Sequence, residues 1–143
     1  MEPSLRDILL GSPTVVVLGI HDEAARPASY VPTYLHDHGY RVLGVNPVLA
    51  AAGTELYGEP VRASLAEVPG AYDLVDVFRR AELLPAHEEE LATSPARVIW
   101  FQLGIVNDEV AARLRDRGKI VVQDRCTLAE HRRMGLGKPA PRV

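Results

Sequence analysis

Five short apolar runs, rich in β-branched residues and separated by stretches with helical spacing, constrain this chain more than any other feature. They are TVVVLG (14–19), YRVLGVN (40–46), YDLVDVF (72–78), RVIWFQ (97–102) and KIVVQD (119–124). A strand with one wet face alternates apolar with polar residues, whereas runs apolar on both faces belong to parallel strands covered by helices on each side. The intervening segments agree. Residues 27–39 open with Pro27, suited to a first helical turn, carry Tyr30, Val31, Tyr34 and Leu35 at helical spacing, and stop at Gly39. Residues 80–92 read the same way, and 107–117 open on Asn107 as an N-cap and close at Gly118. Thr127 and Glu130 stand at capping-box spacing for a last helix over 127–134, and a short helix is expected at 4–10. Five strands alternating with helices predict an α/β fold: an open, doubly wound, mainly parallel five-stranded sheet with helices on both faces and right-handed crossovers. At 143 residues, nearly half of them apolar, the chain supports one core and a single domain, with residues 135–143 a loose tail.

Ligands of such sheets bind beyond the carboxyl ends of the strands. The first of these ends reads VVVLGIHDEAARPASY (15–30), a strand running through Gly19 into a polar turn and a helix. A dinucleotide fingerprint needs glycines at G-x-G-x-x-G so that a pyrophosphate can lie on the backbone. Here His21, Asp22, Glu23 and Ala24 follow Gly19. The second strand ends in Asn46-Pro47 where an NAD site would place an acidic residue, and no G-x-x-x-x-G-K-[ST] occurs. The turn does offer a helix N-terminus, Arg26 and the Ser29 hydroxyl for an anion, with Arg79 and Arg80 at the end of the third strand on the same rim. The competing reading pairs Arg26 with Asp22 or Glu23 on a solvated loop and lets Arg79 and Arg80 begin a helix.

The order of VVVLGIHDEAARPASY, GYRVLGVNP, YGEPVRASLAEVP, DLVDVFRR, VIWFQLGIVNDEVA and GKIVVQDRCTLAEH resembles the small, stand-alone CoA-binding domain proteins. These are related in fold to the N-terminal CoA-binding domain of succinyl-CoA synthetase α subunits. The resemblance runs from about residue 12 to residue 133 and implies a Rossmann-like fold that takes coenzyme A or an acyl-CoA. By that likeness Gly19, Ile20 and His21 form the first turn, and Arg26, Pro27, Ser29 and Tyr30 the phosphate-facing start of the helix. Asn46 and Pro47 border the adenosine end, Val77, Phe78, Arg79 and Arg80 wall one side, and Gln102, Leu103 and Gly104 lie near the pantetheine arm. Many members carry a small residue at the position of His21, whose ring either crowds the turn or donates to a phosphate. The synthetase relatives use a phosphorylated histidine and a nucleotide-grasping partner that lie outside the matched region. The resemblance thus implies a binding module without a complete ligase site. An NAD(P)-dependent oxidoreductase is the alternative from another class.

Cys126, the one cysteine, excludes an internal disulfide and supports a second alternative, a thiol-dependent enzyme in which the last helix lowers the thiol pKa. The plainer reading is a small half-buried residue. His131 lies one and a half turns further on. His36 and His38 flank Asp37 and diverge around a helix, which disfavours shared metal ligation. His87 opens the acidic HEEEL stretch and reads as a solvated face. Trp100 and Phe101 read as strand residues packed under helices. The 16 basic and 19 acidic residues give a net charge of −3 with no basic run, which argues against nucleic acid. No apolar run nears the roughly 20 residues that cross a bilayer, and the acidic, short N-terminal stretch is unlike a signal peptide. A soluble cytoplasmic protein is expected, with a protein partner or homo-oligomer left open.

Overall fold

Each of the five apolar runs becomes a strand. In the computed structural model, which describes residues 2–140, β1 spans Thr14–Leu18 and β2 Arg41–Val45. A two-residue hairpin follows, β3 (Glu55–Leu56) against β4 (Glu59–Pro60). Then come β5 (Leu74–Val77), β6 (Val98–Phe101) and β7 (Ile120–Val122). The main sheet has the order β2-β1-β5-β6-β7, and every pairing in it is parallel.

The side-chain alternation of the strands builds two apolar layers. Val16, Leu18, Val75, Val77, Ile99 and Phe101 face one side with Leu84, Leu91, Val110 and Leu114. Val15, Val17, Leu74, Val98 and Trp100 face the other with Ile8, Leu9 and Leu35. Every position of β1, β5 and β6 is buried, as a sheet covered on both faces requires. Trp100 and Phe101 are fully buried, in keeping with their reading as core residues.

The helices are α1 (Leu5–Leu10), α2 (Pro27–Asp37), α3 (Pro47–Ala51), α4 (Leu84–Thr93), α5 (Asp108–Asp116) and α6 (Thr127–Arg133). Ser4 caps α1 by accepting from the Asp7 N–H, and Asn107 caps α5 by accepting from Val110. A 3-10 turn at Ala81–Leu83 precedes α4. That turn starts the helix later than the expected residue 80.

Two sequence expectations are corrected. The Thr127–Glu130 capping box does not form: Cys126 is the N-cap of α6, without a side-chain cap bond. Thr127 instead turns its hydroxyl inward to Asp76, and Glu130 pairs with Arg133 and Arg125. The tail expected to be loose is packed as far as it is described. Pro139 is buried, the Ala140 N–H donates to the Leu10 carbonyl at 2.8 Å, and the Lys138 stem lies over Gly39. Residues 141–143 of that segment lie outside the described residues.

Candidate functional site

The chain leaves β1 toward β2 on one side and returns to β5 on the other, so the crossovers part at the carboxyl ends of β1 and β5 and leave a crevice there. Two joined hollows fill it. The first, of about 560 Å³, lies between the β1 turn, the β2–α3 junction and α4. The second, of about 460 Å³, is walled mainly by apolar groups of the α2 start and the loops after β5, β6 and β7. Both fall in the size range of small-molecule sites. Arg26, Ala28, Phe78 and Arg79 line both hollows and mark their junction.

The floor of the junction is set by Gly19, whose φ is +90°. A Cβ there would stand 2.5 Å from the Phe78 carbonyl oxygen and 3.2 Å from Arg79 Cδ. Only glycine permits both that backbone and that approach. His21 follows, its N–H donating to the Ala28 carbonyl at 3.1 Å. Its Nδ1 accepts from the Glu23 N–H at 3.0 Å, so the neutral ring carries its proton on Nε2. Arg26 is the N-cap of α2, makes no side-chain cap bond, and its Nε donates to Glu23 Oε2 at 2.6 Å. This is the charge pair the competing sequence reading expected, and it stands at the mouth of the crevice.

Asn46 ties two strand ends together. Its Oδ1 accepts from the Val48 and Leu49 N–H groups, capping α3, and its Nδ2 donates to the Ile20 carbonyl at 2.8 Å. Pro47 and Val48 stand beside it on the first hollow's wall. Arg79 carries its guanidinium to the His87 ring, Nε donating to Nε2 at 3.3 Å. Arg80 lines the second hollow from an exposed position, with Glu82 at 3.5 Å.

Beneath the second hollow lies a buried polar knot. Gln102 Nε2 donates to Asp76 Oδ1 and to Thr127 Oγ1, and Thr127 Oγ1 donates to Asp76 Oδ2 at 2.9 Å. Asp76 is fully buried. Burial pushes its carboxyl up to about 7 against the opposing pull of the hydrogen bonds from Gln102 and Thr127. The knot joins β5, the end of β6 and the first turn of α6, and so fixes the loops that carry Leu103 and Cys126.

Of the residues expected at the site from sequence, Gly19, His21, Arg26, Pro27, Tyr30, Asn46, Pro47, Phe78, Arg79, Arg80, Gln102 and Leu103 line one or both hollows. Four do not. Ile20 and Val77 are core residues with no exposed surface, and Ser29 is buried on the inner face of α2. Gly104 gives its N–H to Asp124 Oδ1 at 2.6 Å, away from the walls. Within the set that does line the hollows, Gln102 uses its amide on Asp76 and Thr127.

Sequence reasoning missed Ala63, Ser64, Ala86, His87 and Glu90 on the first hollow. His87 corrects the reading of HEEEL as a solvated face: its side chain is 21% exposed and its Nδ1 lies 3.0 Å from Glu90 Oε1. Cys126 is half-buried on the wall of the second hollow. His131 is turned away from it, held by the Tyr34 hydroxyl and the Gly137 carbonyl. His36 stacks on Tyr57 and His38 on Tyr34. Among the described residues no group of three histidine, cysteine or acidic side chains could hold a metal ion, and no helix is long and apolar enough to cross a membrane.

Known proteins resemble this chain over most of its length. A family model described as CoA binding domain matches residues 13–132. The uncharacterized protein YneT of Bacillus subtilis (strain 168) is 35% identical over 130 residues, which is 91% of this chain and 93% of YneT. The structure of cell-free ID.343 from Thermus thermophilus matches with a TM-score of 0.87 at 42% identity, covering 91% of this chain and 96% of that one. At 16% identity and a TM-score of 0.66, 80% of this chain also matches 26% of the dinucleotide forming Acetyl-coenzyme A synthetase 1 of Ca. Korarchaeum cryptofilum, a likeness of fold alone.

Proposed function

This chain belongs to the CoA-binding domain family, and from that premise we propose that it binds coenzyme A or an acyl-CoA at the carboxyl edge of the parallel sheet, as a binding module without a complete ligase site. The observation that carries this reading is the pair of unlike hollows that meet at Phe78 and Arg79. Coenzyme A is a nucleotide head bearing phosphates, joined to a thin, largely apolar arm. The first hollow supplies polar and cationic groups for the head, and the second an apolar channel for the arm. Arg26 and Arg79 at the junction stand where the charged middle of such a molecule would cross.

Neither alternative gains comparable support. The residue after β2 is Asn46, whose side chain caps α3 and holds Ile20, whereas a nicotinamide dinucleotide calls for a free carboxylate there. Cys126 faces the second hollow, but the nearest histidine in the sequence, His131, spends both ring nitrogens elsewhere. A thiol beside the end of an acyl-pantetheine arm fits a binding pocket equally well.

The test is calorimetric titration of the protein with coenzyme A, acetyl-CoA, NAD, NADP and ATP. Saturable binding of coenzyme A or its thioester alone is expected. Arg26→Ala should weaken it about three- to tenfold, the worth of one exposed charge-assisted contact. Binding of NAD or NADP without binding of coenzyme A would overturn the reading.

A further inference from the structure

Three arginines stand at the rim, and they are not equivalent. Arg26 is 60% exposed and Arg80 77% exposed, each beside one solvated carboxylate. Arg79 is half-buried and is held at two points along its length. Its stem passes over Gly19, close enough that a Cβ there would touch Cδ at 3.2 Å. At its far end Nε donates to His87 Nε2, and His87 Nδ1 faces Glu90 Oε1 at 3.0 Å.

The donors and acceptors admit one assignment. Arg79 can only donate, so Nε2 of His87 must be the unprotonated nitrogen, and the ring proton sits on Nδ1 and is given to the carboxylate of Glu90. Using Nε in this way leaves the two terminal nitrogens of the guanidinium without a hydrogen-bond partner among the described residues, and these form the bidentate edge that suits a phosphate. From this we infer that His87 and Glu90, neighbours on one face of α4, are positioning residues. Glu90 orients His87, and His87 holds Arg79 with its fork across the junction of the two hollows before any ligand arrives. A cation already ordered loses little freedom on binding, whereas Arg26 must give up Glu23 and its own rotamers. The inference deepens the coenzyme A reading and rests on it for the identity of the anion.

The experiment has an arm that needs no ligand. In nitrogen NMR spectra of the free protein, His87 should show a protonated Nδ1 and a bare Nε2. The Arg79 Nε–H signal should be sharp and protected from exchange, and lost in His87→Ala. An Arg79 signal unchanged in His87→Ala overturns the inference. In the second arm, calorimetry with coenzyme A should give about three- to tenfold weaker binding for His87→Ala, the cost of one newly mobile long side chain. His87→Gln, whose carbonyl can accept from Arg79, should restore binding to within about threefold. In an Arg79→Ala background, His87→Ala should change affinity by no more than about twofold, because the two residues act as one. An undiminished loss in that background would mean that His87 acts independently of Arg79, and would overturn the positioning role. Failure of the unmutated protein to bind coenzyme A would remove the ligand reading alone, since the spectroscopic arm still decides how Arg79 is held.

Discussion

Replacing Asp76 with asparagine should make the protein more stable at neutral pH, and the gain should vanish in acid. The carboxyl sits in the middle of β5 with no exposed surface, and burial lifts it from 3.8 to about 7. A carboxyl raised on folding favours the folded state fully below its unfolded pKa, and the advantage is lost as pH climbs toward the folded pKa. At about 1.4 kcal/mol per pH unit, that rise corresponds to a loss on the order of 4 kcal/mol from acid to pH 8. Roughly 2.5 kcal/mol of it should fall between pH 5 and pH 8, because the unfolded carboxyl is already ionised at pH 5. Asparagine can keep the knot joined: its carbonyl accepts from Gln102, and its amide donates to Thr127, whose hydroxyl gives up its own donation in exchange. Urea denaturation of both proteins at pH 5, 6, 7 and 8 measures the effect, and subtracting one curve from the other cancels every other titrating group. A difference that grows by roughly 2.5 kcal/mol across the series is expected. Parallel curves would refute the argument and imply that Asp76 stays ionised throughout.

Two further substitutions probe the frame around the crevice. Gly19→Ala places a methyl 2.5 Å from the Phe78 carbonyl at a φ of +90°. It should cost about 2–4 kcal/mol in urea denaturation and weaken coenzyme A binding as Arg79 is pushed aside. Asn46→Ala removes the cap of α3 and leaves the Ile20 carbonyl without its donor. A loss of about 1–2 kcal/mol in the same assay is expected.

The parallel sheet was legible because its signal is local: β-branched residues in short runs with helical spacing between them. The hairpin of β3 and β4 and the five-residue α3 escaped notice because two to five residues carry no period to read. The loops that the resemblance pointed to wall the two hollows, but it could not say which side chains in them face outward. Ile20 and Val77 sit beside lining residues in sequence, yet both point into the core. Gln102 lines the second hollow, yet its amide is spent inward on Asp76, a residue with no motif around it. His87 was hidden by the acidic residues that follow it. Of those only Glu89 is exposed, whereas Glu90 turns to His87 on the first hollow, and only the tertiary arrangement puts an arginine within reach of His87. The Thr127 capping signal failed for a related reason, since a buried carboxylate outcompeted the helix end for the hydroxyl.

The two residues that shape the junction, Gly19 and Arg79, follow strands that pair side by side in the middle of the sheet, with Val15 set against Leu74. Those partners are far apart along the chain, so a large loop has to close before the crevice has both its walls, and such pairings form slowly. The junction of the two hollows therefore has no existence in a molecule whose central strands have not yet paired. Any small molecule seated across it would bind the folded molecule and not the unfolded chain. Its presence would then register as a delay in whole-molecule melting that grows with the logarithm of its concentration.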